Sequence, residues 1–267
     1  MVQIIAVNEL SGQPDAWHPL RSVTAARIAL GRTGGSVPTR AQLDFRLAHA
    51  RARDAVLSPF DPDALAASLR ALGAEVLVAE SAARDRAEFL QRPDLGRRLG
   101  YSSRAQLVDH AANQPRCDLA IIVSDGLSTL AANTQSAPLL AALLPRLRES
   151  GWQLAPIVVV RHARVALQDE VGEIFRAKIS LMLLGERPGL GNADSLGAYF
   201  TFGPALGRTD ADRNCISNIR PGGLQPADAS VKLHYLLEHS RQLQLSGVAL
   251  KDDSATLGPG PVVPAIS

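Results

Sequence analysis

Four short apolar runs constrain the fold of this chain most: DLAIIV (118–123), PIVVV (156–160), ISLMLL (179–184) and AYFTF (198–202). Each has the length of a strand and is partly β-branched or aromatic. Helical patterns lie between or after them, one following Ser136–Pro138, one across Leu167–Phe175 and one from about Pro226 to Leu243. A continuously apolar strand has to be covered on both faces, and strands that alternate with helices build a parallel sheet between helical layers. The expected fold class is therefore α/β: a doubly wound, mostly parallel, Rossmann-like sheet over residues 101–250.

The first hundred residues read as a helical region. In SVPTRAQLDFRLAHARARDAVL, Thr39 is placed to cap a helix whose Leu43, Leu47 and Ala50 share one face. Arg40, Arg46, Arg51 and Arg53 take much of the rest, which reads either as a solvated face or as a subunit contact. Leu65, Leu69 and Leu72 give a second short helix, stopped by Gly73, ahead of the strand-like AEVLVA. Pro93 should break any helix around it. The segment 251–267, rich in proline and glycine, is expected to be a loose tail.

Charge and cysteine content exclude several classes. Twenty-eight basic against 26 acidic residues leave a formal charge of +2, too small a bias for a nucleic-acid binder. Two cysteines, Cys117 and Cys215, are too few for a disulfide framework or a zinc cage and point to a reducing cytoplasm. The start of the chain lacks the pattern of a signal peptide, and no apolar stretch approaches a membrane span.

In open α/β sheets ligands bind beyond the carboxyl ends of the strands. Four polar, glycine-rich loops follow the four runs: SDGLST, RHARV, GERPGLGNADS and GPALGRTDADRNCISNIRPGG, and all four are expected to open on one edge. None carries a phosphate-loop or nucleophile-elbow motif, and GLGNADSLG lacks the third glycine of a dinucleotide fingerprint. His162 is the only histidine in these loops, so a Ser–His–Asp arrangement has little material. Glu186 reads either as a surface partner of Arg187 or as a carboxylate held to accept hydrogen bonds from a ligand's N–H groups. Cys215 reads by default as a buried, inert thiol, and Asp125–Gly126 as an ordinary bend. Pattern alone stops at an α/β domain with a ligand edge and no self-sufficient catalytic set, open to a nucleotide-dependent enzyme or a scaffold.

The segments VSDGLST, GEIFRAKISLMLLGERPGLGNADSLGAY and DADRNCISNIRPGG, in that order, resemble the small subunit of adenosylcobalamin-dependent ethanolamine ammonia-lyase. RIALGRTGGSVPTRAQLDFRLAHARARDAV and FLQRPDLGRRL resemble its N-terminal half, so the likeness runs over roughly residues 20 to 250. It implies a lyase that converts ethanolamine to acetaldehyde and ammonia by radical rearrangement, without catalytic residues on this subunit. It implies a TIM-barrel large subunit as partner, by resemblance six copies of each. The cofactor implied is adenosylcobalamin, with Val165, Glu186 and Cys215 matching the family's cobalamin contacts. Glycines 185, 189 and 191 would then let backbone approach a flat macrocycle. Some members carry a long N-terminal extension associated with packaging in a bacterial microcompartment; here about twenty residues precede the first expected helix, which puts that packaging in doubt.

Overall fold

The computed structural model describes residues 16–252. Helix α1 (Thr39–Leu57) and helix α2 (Pro62–Arg70) precede strand β1 (Val76–Glu80). Two further helices, α3 (Arg86–Gln91) and α4 (Tyr101–Ala112), lead to the four expected runs. These are β2 (Leu119–Ser124), β3 (Ile157–Arg161), β4 (Ile179–Gly185) and β5 (Leu196–Phe202), joined by α5 (Thr129–Glu149) after β2 and α6 (Leu167–Ile174) after β3. A sixth strand, β6 (Arg213–Ile219), and helix α7 (Pro226–Leu243) complete the fold.

All six strands form one sheet in the order β1-β3-β2-β4-β5-β6. The β1–β3, β3–β2 and β2–β4 pairs are parallel, but β4–β5 and β5–β6 are antiparallel. The class is α/β as expected; the sheet is mixed, with the expected parallel part holding for β1 to β4 and not for β5 and β6. The cause is the connection after β4. Only residues 186–195 join it to β5, too few for the crossover that a parallel neighbour requires. Strand β1, set by its sequence among the N-terminal helices, is the edge strand beside β3.

Two cores lie on the two faces. One packs Leu65 and Leu69 of α2, Leu139 and Leu143 of α5 and Leu233 and Leu237 of α7 on alternate residues of β2–β6. The other packs Leu107 of α4 and Leu167 and Val171 of α6 on Ala120, Ile122, Val158, Val160 and Met182. Burial of this apolar surface, at about 25 cal/mol per Å², is the main term holding the layers together.

Helix starts depart from the sequence reading in two places. Pro38, not Thr39, occupies the cap position of α1, and no side chain caps that helix. Helix α5 begins at Thr129, capped by the Ser128 hydroxyl accepting from the Ala131 N–H, and carries Pro138 and Pro145 inside it. Pro93 does lie beyond the end of α3, and Gly73 beyond α2 has φ +73°. On α1 only Ala55 is buried; Leu43, Phe45 and Leu47 are exposed, so the expected apolar face has no cover among the described residues. No described helix is long and apolar enough to cross a membrane. The tail expected from 251 onward lies almost wholly outside the described residues.

Candidate cofactor site on the uncovered sheet face

Alternation on β5 and β6 divides their side chains between the two faces. Leu196, Ala198 and Phe200, with Ile216 and Ile219, enter the core beneath α5 and α7. Gly197, Tyr199 and Thr201, with Arg213 and Cys215, point the other way. On that side α6 packs against β2 and β4. Its reach toward β6 is made by Asp169, whose two oxygens accept from Arg213 Nη1 and Nη2 at 2.7 and 2.8 Å. Past this pair Tyr199 is half-buried and Cys215 is exposed. The result is a cleft of about 750 Å³ floored by Tyr199 and walled by Gly126 and Leu127 after β2, Val165 after β3, Glu186 after β4 and Arg213 of β6.

The loops that wall the cleft are locked to one another. Gly126 has φ +52°, and a Cβ there would strike the Gly185 carbonyl; a Cβ on Gly185 would strike the carbonyls of Ser128 and Asp125. Glycine at both positions lets the Leu127 N–H donate to the Gly185 carbonyl at 2.8 Å, joining the ends of β2 and β4. Asp125, an ordinary bend residue on sequence, is 1% exposed and saturated with donors. It accepts from the His162 N–H at 2.7 Å, Arg86 Nη1 at 2.8 Å and Ser124 Oγ at 3.0 Å, with His162 Nδ1 at 3.2 Å. His162 sits at φ +59°, a conformation held by these contacts. Its role in the fold is thus to fix the β3–α6 turn that carries Val165.

Glu186 makes no ion pair with Arg187. One of its oxygens accepts from Ser195 Oγ at 2.5 Å and from the Asn218 N–H at 3.2 Å. The other lies over Gly197, where a Cβ would stand 2.9 Å from it and 2.7 Å from Tyr199 Cε2. Glycine at 197 is therefore what lets the carboxylate and the Tyr199 ring lie flat across β5. Desolvation pushes the Tyr199 phenol far above its ordinary range, the Cys215 thiol and the Glu186 carboxylate adding to it. Cys215 faces Tyr199 directly in the β5–β6 register. Although exposed, it stands among enough protein for desolvation to push its thiol up to about 11, with Glu186 adding and the Tyr199 hydroxyl opposing.

Val165 and Glu186 thus line one cleft, and Cys215 adjoins its floor through Tyr199. Two expectations need correction. Cys215 is exposed, not buried, and lies within a strand, not a loop. The four loops also do not share one edge: β5 runs opposite to β4, so the loop after it starts at the far edge and returns through β6. Sequence reasoning passed over Tyr199 and the Asp169–Arg213 pair. The signal for the pair was only Asp169 in the first turn of α6; nothing local marks its partner 44 residues away. Among the described residues no group of three or more His, Cys, Asp or Glu could hold a metal ion.

The sequence matches the family described as ethanolamine ammonia-lyase light chain (EutC) over residues 14–251. It is 54% identical over 252 residues to the ethanolamine ammonia-lyase small subunit of Azotobacter vinelandii, an alignment covering 91% of this chain and 93% of that one. The small subunit from Ralstonia nicotianae is 55% identical over 237 residues, 88% of each chain. That from Pseudomonas aeruginosa is 53% identical over 247 residues, 90% of each. Collinear identity at this level, over nearly all of the described residues, leaves no part of the fold unaccounted for: the chain belongs to the ethanolamine ammonia-lyase small-subunit family.

Proposed function

We propose that this small subunit assembles with the large subunit of ethanolamine ammonia-lyase and forms one wall of an adenosylcobalamin site. The observation that carries the reading is the open face of β5 and β6. It offers the Tyr199 ring as a flat floor, with the Glu186 carboxylate laid beside it over Gly197. Flat, amide-fringed molecules suit such a surface, because an aromatic ring gives an apolar floor and a fixed carboxylate accepts from peripheral N–H groups. The buried Arg164 Nε in the wall, which has no hydrogen-bond partner, marks donor capacity that this chain does not use itself.

When bound, adenosylcobalamin supplies the radical chemistry through its cobalt–carbon bond, in a reaction that takes ethanolamine to acetaldehyde and ammonia. This chain's residues bind and orient. Glu186, held by Ser195 and Asn218, accepts hydrogen bonds from peripheral amides. Val165 gives an apolar contact at the end of β3, and Cys215 presents a neutral thiol beside Tyr199. The buried carboxylates nearby are committed to structure, Asp125 by its several donors and Asp169 by Arg213. That commitment supports a binding role without catalytic side chains, the substrate being held by the large subunit. The exposed Leu43, Phe45 and Leu47 on α1, interspersed with arginines, suit the contact with that partner, in a complex of six large and six small subunits.

Glu186→Ala tests the reading. Leaving ligand N–H groups unpaired in a desolvated cleft costs about 1–3 kcal/mol. The reconstituted complex should therefore bind adenosylcobalamin roughly five- to a hundred-fold more weakly, with subunit association intact. Glu186→Gln, which keeps an acceptor oxygen, should fall between. Wild-type affinity in Glu186→Ala would return this glutamate to a purely structural role.

A further inference from the structure

The cleft is more strongly basic than a neutral, amide-rimmed ligand requires. Arg97, Arg164, Arg187 and Arg208 all line it, whereas Glu186 and Asp210 are the carboxylates doing so. Arg213, the fifth arginine there, is matched by Asp169. The guanidiniums of Arg97 and Arg187 have no hydrogen bond or ion pair among the described residues. Arg208 donates from Nε to the Gly203 carbonyl and stands 3.6 Å from the carboxylate of Asp212. Arg164 is fixed in place. Its backbone N–H donates to the Gly96 carbonyl at 2.7 Å, its guanidinium stacks 4.2 Å over the Phe89 ring, and Nη2 donates to the Phe89 carbonyl at 3.2 Å. A Cβ on Gly96 would press within 2.9 Å of Arg164 Cγ, so the glycine makes room for that stem. Burial lowers the Arg164 pKa, and repulsion from Arg86, Arg97 and Arg187 lowers it further, with Asp125 opposing. With Arg208 and Arg213 matched by Asp212 and Asp169, Arg97, Arg164 and Arg187 remain without an ion pair among the described residues, and a cavity that gathers such charge favours an anion.

We infer that Arg97, Arg164, Arg187 and Arg208 form a phosphate-ester subsite of the cleft, distinct from the amide-accepting position at Glu186. This rests on reading the cleft as the cofactor site, and it assigns the phosphodiester of the cofactor's nucleotide arm to the arginine side of the cleft. Guanidinium forks match phosphate oxygens in geometry and charge, which a carboxamide rim does not exploit.

The test uses the complex of this chain with the large subunit and two corrinoid probes, adenosylcobinamide, which lacks phosphate, and adenosylcobinamide phosphate, which carries it. Binding is read by absorbance titration, independently of turnover. Wild type should prefer the phosphate-bearing probe by about ten-fold or more at low ionic strength. That preference should shrink as salt screens the rim. Arg97 and Arg187 are exposed, so R97Q/R187Q should fold normally and reduce the preference to about three-fold or less while leaving adenosylcobinamide affinity unchanged. Equal affinity for the two probes in wild type, or an undiminished preference in the double variant, would overturn the subsite. Inorganic phosphate separates the sources. If it displaces only the phosphate-dependent increment, the site takes the ester of the cofactor; if it binds the arginines while the two corrinoids bind equally, the site serves a free anion and the assignment fails. Loss of adenosylcobinamide affinity in Glu186→Ala reports on the cleft itself, so failure of the one reading is distinguishable from failure of the other.

Discussion

Strands β1 to β4 and strands β5 to β6 belong to one sheet but solve different packing problems. Within the first group every strand pair is parallel, and β2, β3 and β4 carry helices on both faces, with Ile121, Ile122, Val158 and Val159 all at 0% exposure. In the second group the strands are antiparallel, and one face lies under α5 and α7 while the other carries Tyr199, Cys215 and Arg213. The proposed binding role rests on the unequal cover. A strand sandwiched between helices has no surface to offer, whereas an antiparallel strand tolerates one open face. The Asp169–Arg213 pair stands at the border between the two regimes, where α6 ends its cover of the sheet.

That border is where a substitution should do most. Asp169 and Arg213 are 2% and 8% exposed, and Arg213 also donates to Thr201 Oγ1 at 3.0 Å and to the Arg208 carbonyl at 3.0 Å. Desolvation pushes the Asp169 carboxyl up while its bonds to Arg213 oppose that shift. Asp169→Ala strands a buried guanidinium, which typically costs 3–5 kcal/mol. Denaturant unfolding of the isolated chain should show a loss of about that size, and cofactor affinity of the complex should fall with it. A loss below about 1 kcal/mol would mean that the border is solvated and that the two halves are not separated by this pair.

Ile122→Ala against Tyr199→Phe sharpens the contrast one step down in magnitude. Ile122 sits in the sandwiched half, packed from the α4–α6 side, so its truncation should cost about 2–5 kcal/mol in stability. Ligand affinity per folded molecule should change little. Tyr199→Phe removes one hydroxyl from the open face; unfolding should shift by under about 1 kcal/mol while adenosylcobalamin titration registers the altered floor. If both substitutions moved stability equally and affinity not at all, the open face would be an ordinary surface.

The same contrast explains what the sequence disclosed. Strands β2 to β5 fall within two residues of the apolar runs, because continuous apolarity is the imprint of cover on both sides or of aromatic packing. Strand β6 was invisible to that criterion. RNCISNI is neither continuously apolar nor strictly alternating: it buries Arg213, Ile216 and Ile219, exposes Cys215, Ser217 and Asn218, and shifts register against β5 between Ile216 and Ile219. Strand direction was legible only from the ten residues between Gly185 and Leu196, a length that forbids a helical crossover. Glu186 and Val165 were reachable from loop position and resemblance. Tyr199 was hidden inside a run that otherwise reads as core, and the long-range Asp169–Arg213 pair leaves no mark in local pattern.

The smallest expected effect separates the halves by their thiols. Cys117, 7% exposed at the entry to β2, has its Sγ–H 3.6 Å from the Phe175 carbonyl, and desolvation pushes its thiol up to about 11, Asp118 adding to the shift. Cys215 reaches a similar value on the open face. Both thiols should therefore resist alkylation near pH 8, since the thiolate is the reactive form. As pH rises toward 11, iodoacetamide should modify Cys215 in the native chain and leave Cys117 untouched until the chain unfolds. For the buried thiol the linkage has a definite sign. Its folded pKa lies above the unfolded one, so between the ordinary thiol range and about pH 11 the folded state holds a proton that the unfolded chain has lost. This contribution to stability is present below that window and disappears as pH rises through it. Cys117→Ala should flatten the alkaline fall in stability, whereas Cys215→Ala, on the exposed side, should change stability by no more than about 0.5 kcal/mol at pH 7. Mass spectrometry after timed alkylation, with peptide mapping, reads the order of modification directly; simultaneous labelling of both cysteines in the native chain would mean that the sandwiched half opens as readily as the bare one.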